Sequence, residues 1–210
     1  MLPLSAVLVF VVARPLAAQT VFVDGAIFLG IERLSHTSTQ PPSASLTDLS
    51  GTTVGGRIGV GTLLSPQWSA QVEVAFPNLL KTTTTTVVAP VPIAISQQVQ
   101  RDYRAPSAAV LGGYHAARRH HVAAAYLGGL MFLEERQHTL TQTSAGPGAL
   151  VPIPTRRTEA TTFTYRAAAA TGLDVDIALG SHLALVPQVR ADVFVGSLSV
   201  RPAVGVRWNF

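Results

Sequence analysis

The sequence predicts an all-β fold, a single closed barrel of eight antiparallel strands in up-and-down order. Three observations lead there. Apolar and polar residues alternate with a period of two along most of the chain. Turn-rich gaps separate the alternating stretches. The alternation also runs to the last residue, where Leu198, Val200, Pro202, Val204, Val206, Trp208 and Phe210 interleave with Ser199, Arg201, Ala203, Gly205, Arg207 and Asn209.

Taken from the N-terminus, Leu4 to Ala13 form an apolar segment of signal-peptide length, and Leu16-Ala17-Ala18 offers a small-residue cleavage site before Gln19. Residues 1–18 are therefore expected to be a signal peptide and 19–210 the barrel. No Lys or Arg precedes the apolar stretch, and Arg14 falls late; an uncleaved N-terminal helix is the competing interpretation.

Eight strands are expected over about 20–34, 52–64, 68–81, 99–115, 121–137, 159–179, 183–195 and 198–210. Three gaps, at 35–51, 82–98 and 138–158, are long and rich in Ser, Thr, Pro and Gly. The others are short: Ser65-Pro66-Gln67, Ala116 to His120, Gly180-Ser181-His182 and Gly196-Ser197. Gly196-Ser197 breaks the series by being tiny where a long gap would fall; long and short gaps otherwise alternate, which suits a meander with one rim facing outward and the other a confined compartment.

Turn length fixes which parities oppose each other, so each hairpin tests the face assignment. A two-residue turn at Gly196-Ser197, with Gly first as type II′ prefers, would set Val195 opposite Leu198 and Asp192 opposite Arg201. Three-residue turns would pair Leu179 with Leu183 and Leu64 with Trp68, leaving Glu73 diagonal to Arg57 on the other face.

Composition narrows the class. The chain has 210 residues, enough for one domain, and only 12% are charged, against about 25% in ordinary soluble domains. Mean hydropathy is +0.35. After the N-terminal segment no apolar run approaches the roughly 20 residues of a membrane-spanning helix. The net charge of +4 comes almost wholly from Arg, since Lys81 is the sole Lys. These arginines are scattered singly along strand patterns and form no basic stripe, which argues against nucleic-acid binding. With no cysteine, disulfide frameworks and cysteine zinc sites are excluded.

One face of the strands collects Val21, Val23, Ile27, Leu29, Ile31, Val54, Ile58, Val60, Val72, Val74, Leu173, Val175, Val189 and Val193, with no charge among them. The other carries Asp24, Glu32, Arg57, Glu73, Arg166, Asp174, Asp176, Arg190, Asp192, Arg201 and Arg207, padded with Gly and Ala such as Gly55, Gly59, Gly172 and Ala203. Small padding suits a cramped interior, and eight strands leave a lumen that side chains just fill. The six acids and five arginines of that face are therefore expected to pair inside as a network, since buried charges are costly when alone. The apolar face then meets hydrocarbon, making a transmembrane β-barrel. The stretches SAAVLGGYHAA and AAAYLGGLMFL are too rich in Ala and Gly to assign faces.

Aromatic residues fall in two girdles. Trp68, Tyr114, Trp208 and Phe210 lie near the short-turn rim, and Phe76, Tyr103, Phe132, Phe163 and Tyr165 near the long-loop rim. With these residues in place the chain from Gln19 onward resembles small eight-stranded bacterial outer-membrane barrels of the outer-membrane protein A or opacity-protein type. The resemblance implies that the last strand, VRPAVGVRWNF, with Val204, Val206, Trp208 and Phe210, is the signal read by the barrel-assembly machinery. It implies location in the cell outer membrane after export through the periplasm, and it transfers no activity.

Candidate chemistry is weighed against plainer interpretations. Asp174 and Asp176 share a face, as paired catalytic carboxylates would, but are better read as lumen charges facing Arg190. His120 and His121 follow Arg118 and Arg119 in a short turn; adjacent strand residues point oppositely, so a shared metal is not expected. His182 beside Ser181 lies on the short-turn side with no acid motif nearby. The run Thr82 to Thr86 reads as a solvated loop rather than a strand extension or adhesive tip.

The expectation is a non-enzymatic, monomeric barrel with a structural or surface-interaction role, without cofactor or metal, whose partners are outer-membrane lipids and the assembly machinery. Its extracellular partner is not named by the sequence. A narrow channel, a lipid-modifying outer-membrane enzyme and a secreted soluble barrel resembling a lipocalin are the alternatives.

Overall fold

The computed structural model describes residues 20–37, 46–87, 95–116, 121–145, 154–194 and 197–210, and every regular element among them is a strand. Ten strands follow the chain: β1 (Val21–Thr37), β2 (Leu46–Leu63), β3 (Trp68–Pro77), β4 (Leu80–Val87), β5 (Ile95–Arg104), β6 (Ser107–His115), β7 (Val122–Ala145), β8 (Arg156–Ala178), β9 (Leu183–Phe194) and β10 (Ser197–Asn209). The expected signal peptide lies outside the described residues.

Eight strands close into a ring in the order β1, β2, β3, β6, β7, β8, β9, β10 and back to β1, with every pairing antiparallel. Closure leaves no open sheet edge within the ring. The chain end takes part, since Phe210 N donates to Val21 O at 2.9 Å.

Two of the expected strands are each split by proline. The stretch 68–81 breaks after Pro77 into β3 and β4, and 99–115 breaks before Ser107 into β5 and β6. Proline has no N–H to give to a ladder and is confined to strand ends and bulges. The ladder is resumed around the breaks, with Asn78 N donating to Val54 O at 2.7 Å and Glu134 N to Pro106 O at 3.0 Å. β5 continues the line of β6 along β7, pairing Arg104 with Arg136 and Ile95 with Ala145, while β4 pairs only with β5 among the described residues.

The strands on the long-loop side run further than the dyad pattern shows. β7 has 24 residues and β8 has 23, against roughly 9–11 for a tilted strand crossing hydrocarbon. Their outer halves, with the β4–β5 hairpin, form a sheet that projects past the ring. The run Thr82 to Thr86 belongs to β4, a strand extension and not the solvated loop expected. Thr is a favoured strand residue, but a run of one residue type carries no alternation.

Two turns pair as expected: Leu64 N donates to Trp68 O at 2.8 Å and Leu179 N to Leu183 O at 2.9 Å. The last hairpin differs. Ser197 opposes Phe194 and Ser199 opposes Asp192, a shift of two residues that leaves Arg201 opposite Arg190. Val195 and Gly196 lie outside the described residues. A shift of two preserves both faces, so Arg201 still reaches Asp192, diagonally.

Side chains sort cleanly between the two surfaces. Ile27 is 70% exposed on the outside while its lumen-facing neighbour Phe28 is 3% exposed. Outward residues are Val, Ile, Leu and aromatics; inward ones include Asp24, Arg57, Glu73, Asp174, Arg190 and Arg207, all buried. Over the middle of β6 and β7 the inward face is apolar instead, with Leu111, Leu127, Met131 and Leu133 forming a cluster with Ala109, Ala168 and Ala170.

Candidate functional site

Ionic side chains fill the lumen because inward positions on β1, β2, β3, β8, β9 and β10 alternate acids and arginines with small residues. Arg57 on β2 donates through Nη2 to Asp24 Oδ2 at 3.1 Å and through Nη1 to Glu73. Across the lumen, Arg190 on β9 grips Glu73 with Nη2 and Nε at 2.6 and 3.2 Å. Its Nη1 donates to Asp174 Oδ1 at 2.5 Å. Arg207 on β10 then joins Asp174 Oδ2 at 2.7 Å to Asp24 Oδ2 at 3.1 Å. Asp24, Arg57, Glu73, Arg190, Asp174 and Arg207 thus make a closed circuit of alternating charge. Asp176 hangs from it, accepting from Arg207 Nη1 with both oxygens at 2.8 and 3.0 Å.

Neutral groups complete the circuit. Gln71 donates to Glu73 at 2.6 Å, and Gln188 Oε1 accepts from Arg57. The ring of Phe22 lies under the Arg207 guanidinium at 4.4 Å, a cation–π contact that holds it without another charge. Close approach demands glycine at Gly172: a Cβ there would come within 2.8 Å of Arg190 Cδ and Nη1 and 2.9 Å of Val189 O.

Two pairs stand apart toward the long-loop rim. Arg201 binds Asp192 and lies over the Phe28 ring at 5.7 Å. Arg166 Nε meets Glu135 Oε2 at 2.9 Å, and Tyr103 OH donates to Glu135 Oε1 at 3.2 Å. Tyr103 is therefore a lumen residue, 4% exposed, and not part of the outer girdle expected for it. β5 puts Tyr103 on the parity of Ser107, which faces inward. Glu135 was not singled out in the sequence, because the faces of its strand carry too little contrast to assign. Glu32 lies in β1, and its side chain is outside those described.

The remaining candidates resolve differently. Asp174 faces Arg190, but Asp176 is held by Arg207 instead. His182 Nδ1 donates to Asn209 O at 3.0 Å and its ring stacks on Trp208 with centroids 5.8 Å apart; neither contact involves Ser181. His120, Arg118 and Arg119 lie outside the described residues, and His121 is exposed. A pair missed by the sequence is His115 Nε2 with Ser69 Oγ, 2.9 Å apart. Ser69 is 3% exposed.

The outward aromatics Trp68, Tyr114, Trp208, Phe210, Phe76, Phe132, Phe163 and Tyr165 are all exposed, and Trp68 meets Tyr114 edge-to-face at 5.3 Å. Val204 and Val206 share that outer surface.

The lumen is open at one end. A cavity of about 640 Å³ at the short-turn rim ends inward on Phe22, Asp176 and Arg207. Beyond the charge circuit the space shrinks to about 20 Å³ between Arg57, Glu73 and Arg190 on one side and Leu111 and Met131 on the other. That holds about one water molecule.

No protein-family model and no curated protein sequence matches the chain. Among solved structures, the chain is similar to Ail, the attachment invasion locus protein of Yersinia pestis. The two are 8% identical, with 92% of this chain and 100% of that one covered and a TM-score of 0.45. Neisserial surface protein A is 12% identical, with 90% and 97% covered and a TM-score of 0.46. The outer membrane protein OprG of Pseudomonas aeruginosa is 11% identical, with 92% and 96% covered and a TM-score of 0.46.

Proposed function

We propose that this chain is a non-enzymatic integral outer-membrane β-barrel with a structural or surface-interaction role. The observation that carries the proposal is the inversion of burial: Ile27 is 70% and Tyr126 60% exposed, while Asp174 is 0% exposed. In water that arrangement would leave a continuous apolar belt unsatisfied. In hydrocarbon it is the stable one, since the closed ring satisfies its backbone internally.

Outer-membrane lipid is the partner of the belt, and the girdles led by Trp68 and Phe163 mark its two boundaries. The terminal strand, with Val204, Val206, Trp208 and Phe210 all outward, is available to the assembly machinery as its signal. The sheet projecting from β4, β5, β7 and β8 supports a surface-interaction role on the long-loop side.

The lumen favours a plugged barrel over a narrow channel, because the charge circuit and the Leu111 cluster leave about 20 Å³ between them. It also favours a structural role over lipid chemistry, since Asp174 and Asp176 are both committed to arginines.

The test is migration of the membrane fraction on detergent gels with and without boiling. A folded barrel resists detergent and shifts on boiling; a chain found in the soluble fraction, or one without a shift, would refute the proposal.

A further inference from the structure

On the outer surface, at the long-loop girdle, Arg104 of β5 stands directly opposite Arg136 of β7, and Arg136 opposite Phe163 of β8. Like charges directly opposite across a ladder repel. Both side chains are exposed, and neither forms an ion pair among the described residues. Each is nonetheless held in place. Arg104 Nε donates to Pro77 O at 3.2 Å, and the Arg136 guanidinium lies over the Phe163 ring at 5.4 Å.

The flanking charges on this face are Glu134, opposite Tyr165 one row toward the barrel, and Lys81 and Asp102, at opposed strand positions one row outward. His138 opposes Asp102 in that outer row. Two exposed arginines at opposed positions of adjacent strands suit a phosphate, which a guanidinium can hold bidentately. Their height is decisive: they share a row with Phe163, next to Tyr165, where an aromatic girdle meets lipid headgroups.

We infer that Arg104 and Arg136 form a binding site for the phosphate of an outer-leaflet lipid headgroup. This rests on the outer-membrane interpretation proposed above. The bound anion neutralises the repulsion between the two arginines and anchors the projecting sheet at the membrane boundary.

The experiment uses the full chain folded in detergent micelles, titrated with bisphosphorylated lipid A or with lipid A stripped of both phosphates, and read by native mass spectrometry. Wild type should bind the phosphorylated form about tenfold more tightly. Arg104→Gln/Arg136→Gln should abolish the difference, while Arg156→Gln/Arg157→Gln, farther out on β8, should retain it. Arg136→Lys keeps the charge but loses the fork, and should bind more weakly than wild type; if the double glutamine variant fails to fold, this variant decides alone. Equal binding of the two lipids, unchanged binding by Arg136→Lys, or displacement by equimolar inorganic phosphate would each overturn the site. Boiling shifts measured on the same samples separate that failure from failure of the barrel interpretation.

Discussion

Glu73 and Arg190 stand on β3 and β9, strands that are not neighbours in the ring, yet they meet in the lumen through two hydrogen bonds of 2.6 and 3.2 Å. This bond couples two walls of the barrel and completes the circuit that includes Asp24, Arg57, Asp174 and Arg207.

The circuit with Asp176 contains four carboxylates (Asp24, Glu73, Asp174, Asp176) and three arginines (Arg57, Arg190, Arg207). Removing an acid therefore balances the charge, and removing an arginine worsens it. Arg190→Met should cost about 3–5 kcal/mol, the range for leaving buried charge uncompensated, because Glu73 and Asp174 each lose one of two arginines and four buried carboxylates are left with only Arg57 and Arg207. Glu73→Gln should cost less, on the order of 1–3 kcal/mol for altered buried hydrogen bonds. Urea-unfolding midpoints of the two variants in lipid vesicles check the order, and an equal or reversed order would contradict the circuit.

The legibility of this site follows from contrast between faces. On β1, β2, β8, β9 and β10 acids and arginines alternate with Val, Ile and Leu, so parity alone places Asp24, Arg57, Asp174 and Arg190 together on one side. On β6 and β7 both faces are apolar, Leu111 and Leu127 inside against Val110 and Leu130 outside. No period-two signal separates them, so the apolar half of the lumen and Glu135 stayed hidden. The partner of Asp176 was missed because it depends on β10 reaching past β9 to β8, a matter of three dimensions and not of spacing. Tyr103 reads as girdle from the sequence because it is an aromatic near a rim, and its inward place shows only once the backbone carries its parity through Pro106 to the buried Ser107.

Arg201→Leu leaves Asp192, itself 2% exposed, without its ionic partner. The expected loss is about 3 kcal/mol, the low end for breaking a buried pair, because Ser199 opposite Asp192 still offers a hydroxyl. Adding Asp192→Asn should recover most of it, since neutral replacements remove the buried charge altogether. Equilibrium unfolding of the single and double variants measures the recovery; a double variant no more stable than the single would exclude the pairing as the cause.

Leu111 and Leu127 plug the side of the lumen that carries no charge. Replacing each by Ala should cost about 2–5 kcal/mol through the cavity created. Together the two replacements should join the space of about 20 Å³ to the wider lumen. Planar-bilayer recordings should show discrete conductance for the double variant and none for wild type. Conductance already present in wild type would favour the channel interpretation.

Ile27 tests which solvent the outside meets. It lies midway along the ring-paired part of β1, opposite Val204 and Gly56, and is 70% exposed. On the surface of a water-soluble protein, Ile27→Arg would shift stability by roughly 0.5 kcal/mol or less. At the midplane of a lipid-facing strand the guanidinium must leave water, which costs about 2–4 kcal/mol. The same change at Val21, near the short-turn rim, should cost only about 0–1 kcal/mol, because an arginine there can reach the headgroups. Unfolding midpoints of Ile27→Arg and Val21→Arg in vesicles provide the comparison. A depth-dependent penalty is expected; equal, small effects at both positions would mean that water, not hydrocarbon, covers the apolar belt.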